Sequence, residues 1–318
     1  MKLLKIMLMS IGLITICALS IQAVQQTPAA KSTTEKIQER DEEGKVTKDY
    51  NIYALPMPDD LNFAGEPVPL DNPDIYERMD KELLVNTYWQ SNALLLMKRA
   101  NKYFPVIEPI LKEKGVPDDL KYIAVIESSL TQAVSPARAT GFWQIMEGTG
   151  KDYKLEINSN VDERYHIEKA TRVAADYLKK SKEKFGSWTL AAAAYNAGNA
   201  GISRQLERQD VNDYYDLLLG EETGRYVFRI LALKEIMKDP YKYGFHYEEK
   251  DLYKHIPTYT VEISSPVTDF AGFAKEHGIN YKILKLHNPW LREAHLDNNS
   301  GKKYKIEIPQ KGYYNVGM

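Results

Sequence analysis

The sequence predicts a mainly α-helical protein that ends in a small α+β module. From Ile75 to about Lys250, apolar residues recur at spacings of three and four, which is the period of an amphipathic helix. Beyond Lys250 the order becomes strand, helix, helix, strand, because the stretches TYTVEI and KKYKIEIP alternate along their length. Hydrophobic residues make up 43% of the chain and charged residues 27%, a balance that is ordinary for a globular protein.

The first 23 residues predict an export signal that lies outside the fold. Lys2 and Lys5 precede an apolar run over residues 6–21, and Ala23 supplies a small residue for cleavage. The run is long enough to serve instead as an uncleaved membrane anchor. It also contains Cys17, the only cysteine, in a stretch that resembles a lipoprotein box. Export is therefore expected, with cleavage, anchoring and lipidation as open alternatives.

Three regions follow the predicted signal. Residues 24–69 predict a linker or a loosely attached arm, because they are rich in charge and proline and show no period. Residues 70–250 form the predicted main domain, in which two long helical patterns end at Gly115 and Gly186, as glycine is favoured just past a helix. Residues 251–318 form the predicted α+β module.

One carboxylate, Glu127, continues the apolar face of a helix that is predicted to begin at Pro117. Burial disfavours the charged form of a carboxylate and raises its pKa, so such a group can hold a proton near neutral pH and donate it to a leaving oxygen. Taken alone, the stretch is more typical of a structural glutamate, one that pairs with an arginine or one that simply emerges at the end of the helix. Glu127 shares its face with apolar residues at helical spacing: Leu120, Ile123 and Ala124.

Three more motifs follow in order: a Gly-Phe-Trp-Gln segment over 141–144, a Tyr-Asn-Ala-Gly motif over 195–198, and an Arg-Tyr-Val segment over 225–227. Together with the Glu127–Ser128 pair, they resemble the soluble lytic transglycosylases, in particular the membrane-bound murein transglycosylase D type. The resemblance covers residues 120–236. It implies that the main domain has the lysozyme-like helical fold of that family.

The resemblance also implies a reaction. Members of this family cleave the β-1,4 bond between N-acetylmuramic acid and N-acetylglucosamine in peptidoglycan, and the muramyl C6 hydroxyl attacks C1 to give a 1,6-anhydro product. By resemblance, Glu127 protonates the glycosidic oxygen and then accepts the proton of that hydroxyl. A tethered nucleophile reaches a high effective concentration, so one carboxylate suffices where ordinary glycosidases use two. Asp152, Asp162 and Glu163 stay open as a second carboxylate, although pairing with Arg164 explains the VDER stretch better.

The family pattern assigns substrate-binding roles to residues around Glu127. Ser135 is expected to hydrogen-bond near the reacting sugar, Gln144 to contact the N-acetyl sugar, and Tyr195 to direct its hydroxyl at Glu127 or the substrate. Phe142, Trp143 and Met146 are expected to wall the groove and stack on sugar faces, although a core position explains Trp143 at least as well. Ser135 has an alternative as a turn residue before a proline. The full predicted set is Ser135, Gln144, Tyr195, Asn196, Tyr226, Trp143, Phe142 and Met146.

The C-terminal stretch Thr258–Pro309 resembles a LysM module, a fold that binds N-acetylglucosamine chains. The order of its elements and the segment LKLHNP fit that family. The usual Gly-Asp-Thr-Leu turn after the first strand, which forms part of the sugar site, is replaced here by residues 264–267, Ser-Ser-Pro-Val. A LysM-like fold is therefore predicted, and glycan binding by it is left open.

Composition and spacing narrow the remaining function classes. The formal net charge is −2, so the chain has no net positive charge that would attract nucleic acid. The six histidines show no metal-ligand spacing near the motifs, so neither a metal nor another cofactor is expected. The expected protein is a periplasmic monomer whose partner is the glycan strand of peptidoglycan, with membrane attachment through the N-terminus left open. The alternatives are a hydrolytic lysozyme of the goose type and an inactive peptidoglycan-binding scaffold.

Overall fold

The computed structural model describes residues 51–314, so the predicted export signal and the first part of the predicted linker lie outside the described residues. The described part contains ten α-helices and two antiparallel pairs of strands. Over this same range, none of the helices has the length and apolar character needed to cross a membrane.

Eight helices build the main domain: α1 (Pro73–Tyr88), α2 (Gln90–Lys114), α3 (Lys121–Ser128), α4 (Glu147–Asp152), α5 (Ile167–Phe185), α6 (Trp188–Ala197), α7 (Asn199–Gln209) and α8 (Glu221–Lys238). The predicted ends at Gly115 and Gly186 are observed, and both glycines adopt the left-handed conformation that stops a helix. The helix predicted from Pro117 starts instead with a 3₁₀ turn over Asp118–Leu120, and α3 follows it directly.

Helix α6 lies at the centre of the main domain. Its residues Ala191–Ala194 are all fully buried, and α6 packs against α5, α7 and α8. Alanine side chains are short, so the neighbouring helices can approach the α6 backbone closely. The Tyr-Asn-Ala-Gly motif ends this helix, which places two predicted site residues at the edge of a rigid core.

Residues 61–68 of the predicted linker pack into the core of the main domain, so the prediction of a linker or loosely attached arm is wrong for this part. A short hairpin joins β1 (Asn62–Phe63) to β2 (Glu66–Pro67), and Phe63 is fully buried. The carboxylate of Glu66 accepts hydrogen bonds from the backbone N–H groups of Trp188 and Thr189 at 2.6 and 2.9 Å. It therefore satisfies N–H groups that have no partner within the first turn of α6.

The C-terminal module has the predicted strand, helix, helix, strand order. Strands β3 (Thr258–Ile263) and β4 (Tyr304–Pro309) pair antiparallel, with Thr258 opposite Pro309 and Ile263 opposite Tyr304. Helices α9 (Phe270–Glu276) and α10 (Tyr281–His287) lie between them in sequence. The apolar residues that the alternation predicted on one face of β4 are buried: Tyr304, Ile306 and Ile308.

The predicted fold class, mainly α with a small βααβ module, is confirmed. Buried apolar residues form two clusters, a large one in the main domain and a smaller one in the module. Two residues of the main domain, Val161 and Tyr165, belong to the smaller cluster. The boundary predicted between residues 250 and 251 stays a prediction.

Candidate active site

Glu127 is the next-to-last residue of α3, where the chain leaves the helix. Ser129 and Leu130 follow with φ angles of 55° and 53°, an uncommon pair of left-handed residues without glycine. The hydroxyl oxygen of Ser128 lies 2.9 Å from the carbonyl oxygen of Phe142, which joins the end of α3 to the Gly-Phe-Trp-Gln segment. The backbone thus holds the Glu127 carboxylate at the end of a buried helix.

Tyr226, on α8, is the hydrogen-bond partner of Glu127. Its hydroxyl donates to Oε1 of Glu127 at 2.5 Å, and only 2% of its surface is exposed. Burial raises the pKa of Tyr226 far above its usual value, and the nearby Glu127 carboxylate adds to that rise. The tyrosine therefore stays neutral and acts as a donor at any physiological pH.

Burial raises the pKa of Glu127 from 4.5 to about 6. The Tyr226 hydrogen bond and the positive charge of Arg229 oppose this rise, whereas the negative charge of Glu222 adds to it. A carboxyl group with a pKa near the working pH can both give up and take back a proton. Glu127 is therefore a half-buried acid with a raised pKa at the end of its helix, and within residues 51–314 it forms no ion pair with an arginine. Its role as the catalytic acid stays a prediction.

Tyr195 lies beside this pair, but its hydroxyl makes another bond. It donates to the carbonyl oxygen of Trp143 at 2.7 Å, and its ring meets that of Trp143 edge to face. Burial raises the pKa of Tyr195 well above its usual value, and the Glu127 charge contributes to the rise. The predicted contact with the Glu127 carboxylate is thus made by Tyr226 instead.

The Gln144 loop (residues 133–145) carries the next two predicted residues. The side-chain NH₂ of Gln144 donates to the carbonyl oxygens of Ala133 and Gly141, at 3.0 and 2.8 Å. Since both N–H groups are used by the loop, the side chain can offer a ligand only its acceptor oxygen. The hydroxyl oxygen of Ser135 accepts the N–H of Ala139 at 3.0 Å. Within the described residues 51–314 its own proton has no acceptor, so it is available for donation to a ligand.

Two predicted groove residues are core residues instead. Trp143 is fully buried, and its indole N–H donates to the Thr171 hydroxyl at 2.8 Å. Phe142 is 3% exposed and packs on Tyr103, with ring centroids 4.7 Å apart. Neither ring can stack on a sugar, so the predicted wall formed by these two residues is wrong. Met146, by contrast, is 46% exposed next to the Gln144 loop.

Asn196 joins α6 to the start of α8. Its Oδ1 accepts the Thr223 hydroxyl at 2.8 Å, and its Nδ2 lies 3.3 Å from a Glu222 carboxylate oxygen. These contacts fix the approach of α8, which carries Tyr226. Substrate binding by Asn196 stays a prediction.

Two of the candidates for a second carboxylate have structural partners. Asp162 pairs with the Arg164 guanidinium at 2.7 and 3.0 Å, and Glu163 pairs with Lys169. The third candidate, Asp152, is exposed at the end of α4. The local pairing that the sequence favoured for the VDER stretch is what the structure contains.

Arg229 is a site residue that the sequence analysis missed. It lies three residues after Tyr226 on α8, and its charge lowers the pKa of both Glu127 and Tyr226. Residues three apart lie on the same face of a helix. Once Tyr226 was assigned to the site, the segment RYVFR therefore placed Arg229 on the same face as Tyr226 and could have identified it.

Two family models of known proteins match this chain. Residues 104–217 match the family model of the transglycosylase SLT domain, and residues 259–312 match that of the soluble lytic transglycosylase C-terminal LysM-like domain. The first range contains Glu127, Ser135, Gln144 and Tyr195, whereas Tyr226 lies beyond it. These matches support the lysozyme-like and LysM-like parts of the predicted fold.

Among curated proteins, the chain is 30% identical over 300 residues to membrane-bound lytic murein transglycosylase D of Escherichia coli (strain K12). The alignment covers 92% of this chain and 63% of that relative, so this chain spans less than two thirds of the relative's length. A putative tributyltin chloride resistance protein of Alteromonas sp. (strain M-1) is 28% identical over 125 residues, covering 39% of this chain and 58% of that protein.

Among solved structures, a match is the X-ray structure of the inactive E503Q mutant of lytic transglycosylase Slt from Pseudomonas aeruginosa. It is 23% identical, has a TM-score of 0.37, and covers 48% of this chain and 26% of that one.

Proposed function

We propose that this chain, whose residues 104–217 form a transglycosylase SLT domain, is a lytic transglycosylase that cleaves peptidoglycan. The observation that carries the proposal is the Glu127–Tyr226 pair, in which a half-buried carboxyl group with a pKa of about 6 receives a hydrogen bond at 2.5 Å. The reaction is a carbon–oxygen lyase reaction on a polysaccharide. It cleaves the β-1,4 bond between N-acetylmuramic acid and N-acetylglucosamine.

In the first step, protonated Glu127 donates its proton to the glycosidic oxygen as the bond from that oxygen to the muramyl C1 breaks. The carboxylate that remains is stabilised by the Tyr226 hydroxyl, since a hydrogen bond to the charged form favours that form. In the second step, the C6 hydroxyl of the same sugar attacks C1 and gives its proton to Glu127. The enzyme returns to its starting state and no water is consumed.

Two polar groups in the Gln144 loop fit an N-acetylated sugar. The free acceptor oxygen of Gln144 suits the N–H of an acetamido group, and the free hydroxyl proton of Ser135 suits a sugar oxygen. Met146 offers an exposed apolar surface beside them. These contacts account for orientation of the reacting sugar, which an intramolecular attack requires.

The partners of Asp162 and Glu163 favour the anhydro product over hydrolysis. A hydrolase needs a second carboxylate to activate water or to form a covalent intermediate. Asp162 is bound to Arg164, and Glu163 is bound to Lys169, so neither is free for that task. Asp152, exposed at the end of α4, is the candidate that a hydrolytic mechanism would still have to use. The internal hydroxyl is the nucleophile that needs no second carboxylate.

The setting of the reaction is part of the same proposal. The substrate lies outside the cytoplasmic membrane, so the chain acts after export, in the periplasm, on the glycan strands of peptidoglycan. The proposal also includes attachment of the chain to the membrane through its N-terminal residues. It further includes that the protein is a monomer.

Digestion of purified peptidoglycan tests the proposal. The chain without its first 23 residues should release fragments with 1,6-anhydromuramyl ends, read by mass spectrometry, and Glu127→Gln should release none. Fragments with reducing muramyl ends would assign the chain to the hydrolytic lysozymes. Binding to peptidoglycan with no fragments from either protein would leave an inactive scaffold.

A further inference from the structure

The C-terminal module is docked on a segment of the main domain, residues 156–166, which we call the docking segment. Val161 of this segment and Leu291 of the module form an antiparallel bridge, flanked on each side by a backbone hydrogen bond of 2.9 Å. Val161 and Tyr165 are buried in the apolar cluster of the module. The docking segment therefore completes the core of the module.

Side chains fix the same interface. The amide of Asn160, which is 8% exposed, donates to the carbonyl oxygen of His295 at 3.0 Å and accepts the N–H of Asp297 at 2.9 Å. The guanidinium carbon of Arg292 lies 3.9 Å from the centre of the Tyr165 ring. An amide with both ends bound specifies one arrangement of the two parts, which apolar contact alone would not.

Polar and charged contacts between the module and the docking segment continue at the edge of their interface. The hydroxyl of Tyr304 lies 3.0 Å from both carboxylate oxygens of Glu156, and the same carboxylate pairs with Lys302. The ammonium group of Lys302 also lies 3.6 Å from Glu163. Contacts from the core to the rim therefore connect the module to the docking segment.

The docking segment contacts the Gln144 loop through Arg164. One guanidinium nitrogen lies 3.1 Å from the carbonyl oxygen of Arg138 and 3.4 Å from that of Ile145, two points on the loop. The other nitrogens bind the carboxylate of Asp162. The backbone also approaches closely, since a Cβ atom on Gly141 would lie 2.3 Å from the carbonyl oxygen of Arg164.

We propose that the C-terminal module is a positioning element of the active site: docked on residues 156–166, it fixes Asp162 and Arg164 and through them holds the Gln144 loop in place for substrate. The N–H of Asp162 donates to the carbonyl oxygen of Trp290, so a single residue links the module to Arg164. The loop contains Gln144 in a left-handed conformation, with φ at 46°, that its surroundings must maintain. This inference rests on the proposed function.

Full-chain variants test it. Asn160→Ala removes two hydrogen bonds to the module without touching the Gln144 loop. We expect kcat/KM for release of anhydromuropeptides to fall about tenfold, because a slightly misplaced binding group slows a reaction that depends on orientation. Asp269→Ala, which removes the N-cap of α9 inside the module, is the matched control and should change kcat/KM less than about twofold. Arg292→Ala, an exposed position, repeats the test if Asn160→Ala does not fold.

A double-mutant cycle separates positioning from general destabilisation. In a Gln144→Ala background, Asn160→Ala should cost much less than tenfold, because the group that it positions is already gone. An equal loss in both backgrounds would overturn the proposal. So would a loss from Asp269→Ala as large as that from Asn160→Ala.

Hydrogen exchange gives a readout that does not depend on activity. The N–H groups of Thr140, Gly141 and Ile145 are hydrogen-bonded within the loop, and Asn160→Ala should speed their exchange. Unchanged exchange at these amides would overturn the proposal even in an active enzyme. If the wild-type chain releases no anhydromuropeptides, the proposed function fails, and the exchange rates alone decide whether the module positions the loop.

Discussion

Tyr226→Phe removes the hydroxyl that donates to Glu127 at 2.5 Å and leaves the buried ring in place. The hydrogen bond lowers the pKa of Glu127 against the larger effect of burial, so its loss should raise that pKa further. A hydrogen bond to a charged group contributes roughly 1.5–3 kcal/mol, and one pKa unit corresponds to about 1.4 kcal/mol. Because Glu127 keeps some contact with solvent, we take the lower end of this range and expect a rise of about one unit.

The pH dependence of kcat/KM measures this change. Glu127 must be protonated to act as the acid, so kcat/KM should fall as the pH rises through its pKa, near 6 in the wild type. In Tyr226→Phe the same fall should occur near pH 7, one unit higher by the argument above. The variant should also be slower at its optimum, since the carboxylate formed in the first step loses its donor.

Tyr195→Phe is the matched control, because its hydroxyl donates to Trp143 and not to Glu127. It should leave the pH of the fall unchanged. The reasoning is refuted if Tyr226→Phe leaves the fall where it was or moves it to lower pH. A shift in Tyr195→Phe alone would restore the role that the sequence assigned to Tyr195.

Three further predictions concern stability, measured by urea unfolding. Glu127→Gln should raise the free energy of unfolding at pH 8 by about 2 kcal/mol. The reason is that the folded state raises the pKa of Glu127, so ionising Glu127 above that pKa costs stability, and glutamine cannot ionise. The gain should vanish below pH 4.5, where Glu127 is protonated in both the folded and the unfolded state. Gly141→Ala should destabilise by about 3 kcal/mol, since its φ is 81° and its Cβ would lie 2.3 Å from a backbone carbonyl oxygen. Glu66→Gln should cost about 2 kcal/mol at pH 7, because the α6 N–H groups lose a charged acceptor.

Each of these has a control and an opposing outcome. Gly148→Ala, in an open position of α4, should be neutral or slightly stabilising, and an equal loss at both glycines would contradict the steric argument. Burial raises the pKa of Glu66, but the hydrogen bonds from Thr189, Trp188 and Ser187 outweigh this effect and lower the pKa overall. The stabilisation by Glu66 is therefore complete above pH 4.5 and is lost as the pH falls through the folded-state pKa. A Glu66→Gln loss that does not shrink as the pH is lowered from 7 would contradict this. A Glu127→Gln effect equal at pH 4 and pH 8 would show that Glu127 is not desolvated.

Local sequence patterns predicted those structural features that depend only on residues close together in the chain. The helices that end at Gly115 and Gly186 each require a residue in the left-handed conformation, which glycine adopts without steric cost. A glycine after a helical pattern therefore predicts the end of the helix. The alternation in β4 predicted its buried face because a strand repeats every two residues. Glu127 was found in the same way, from its place on an apolar helical face.

Features that depend on distant residues were not predictable in this way. Leu61 and Phe63 are single apolar residues among prolines and charges, and only contact with the main domain shows that they belong to its core. From the sequence, Trp143 is equally typical of a sugar-stacking residue and of a core residue. Its indole N–H binds the hydroxyl of Thr171, 28 residues later in the chain, and this contact places it in the core. The docking of the module likewise depends on pairs more than 120 residues apart, such as Asn160 and His295.

Tyr226, and not Tyr195, donates a hydrogen bond to Glu127, which shows why a family motif does not fix geometry. Tyr226 is buried and Tyr195 is partly buried, and their sequence contexts do not say which hydroxyl reaches the Glu127 carboxylate. The choice depends on how α8 crosses the end of α3, and Asn196 fixes that crossing by binding Thr223 at the start of α8. A residue predicted to bind substrate therefore also places the donor that tunes the acid, and Asn196→Ala should move the pH profile in the same direction as Tyr226→Phe.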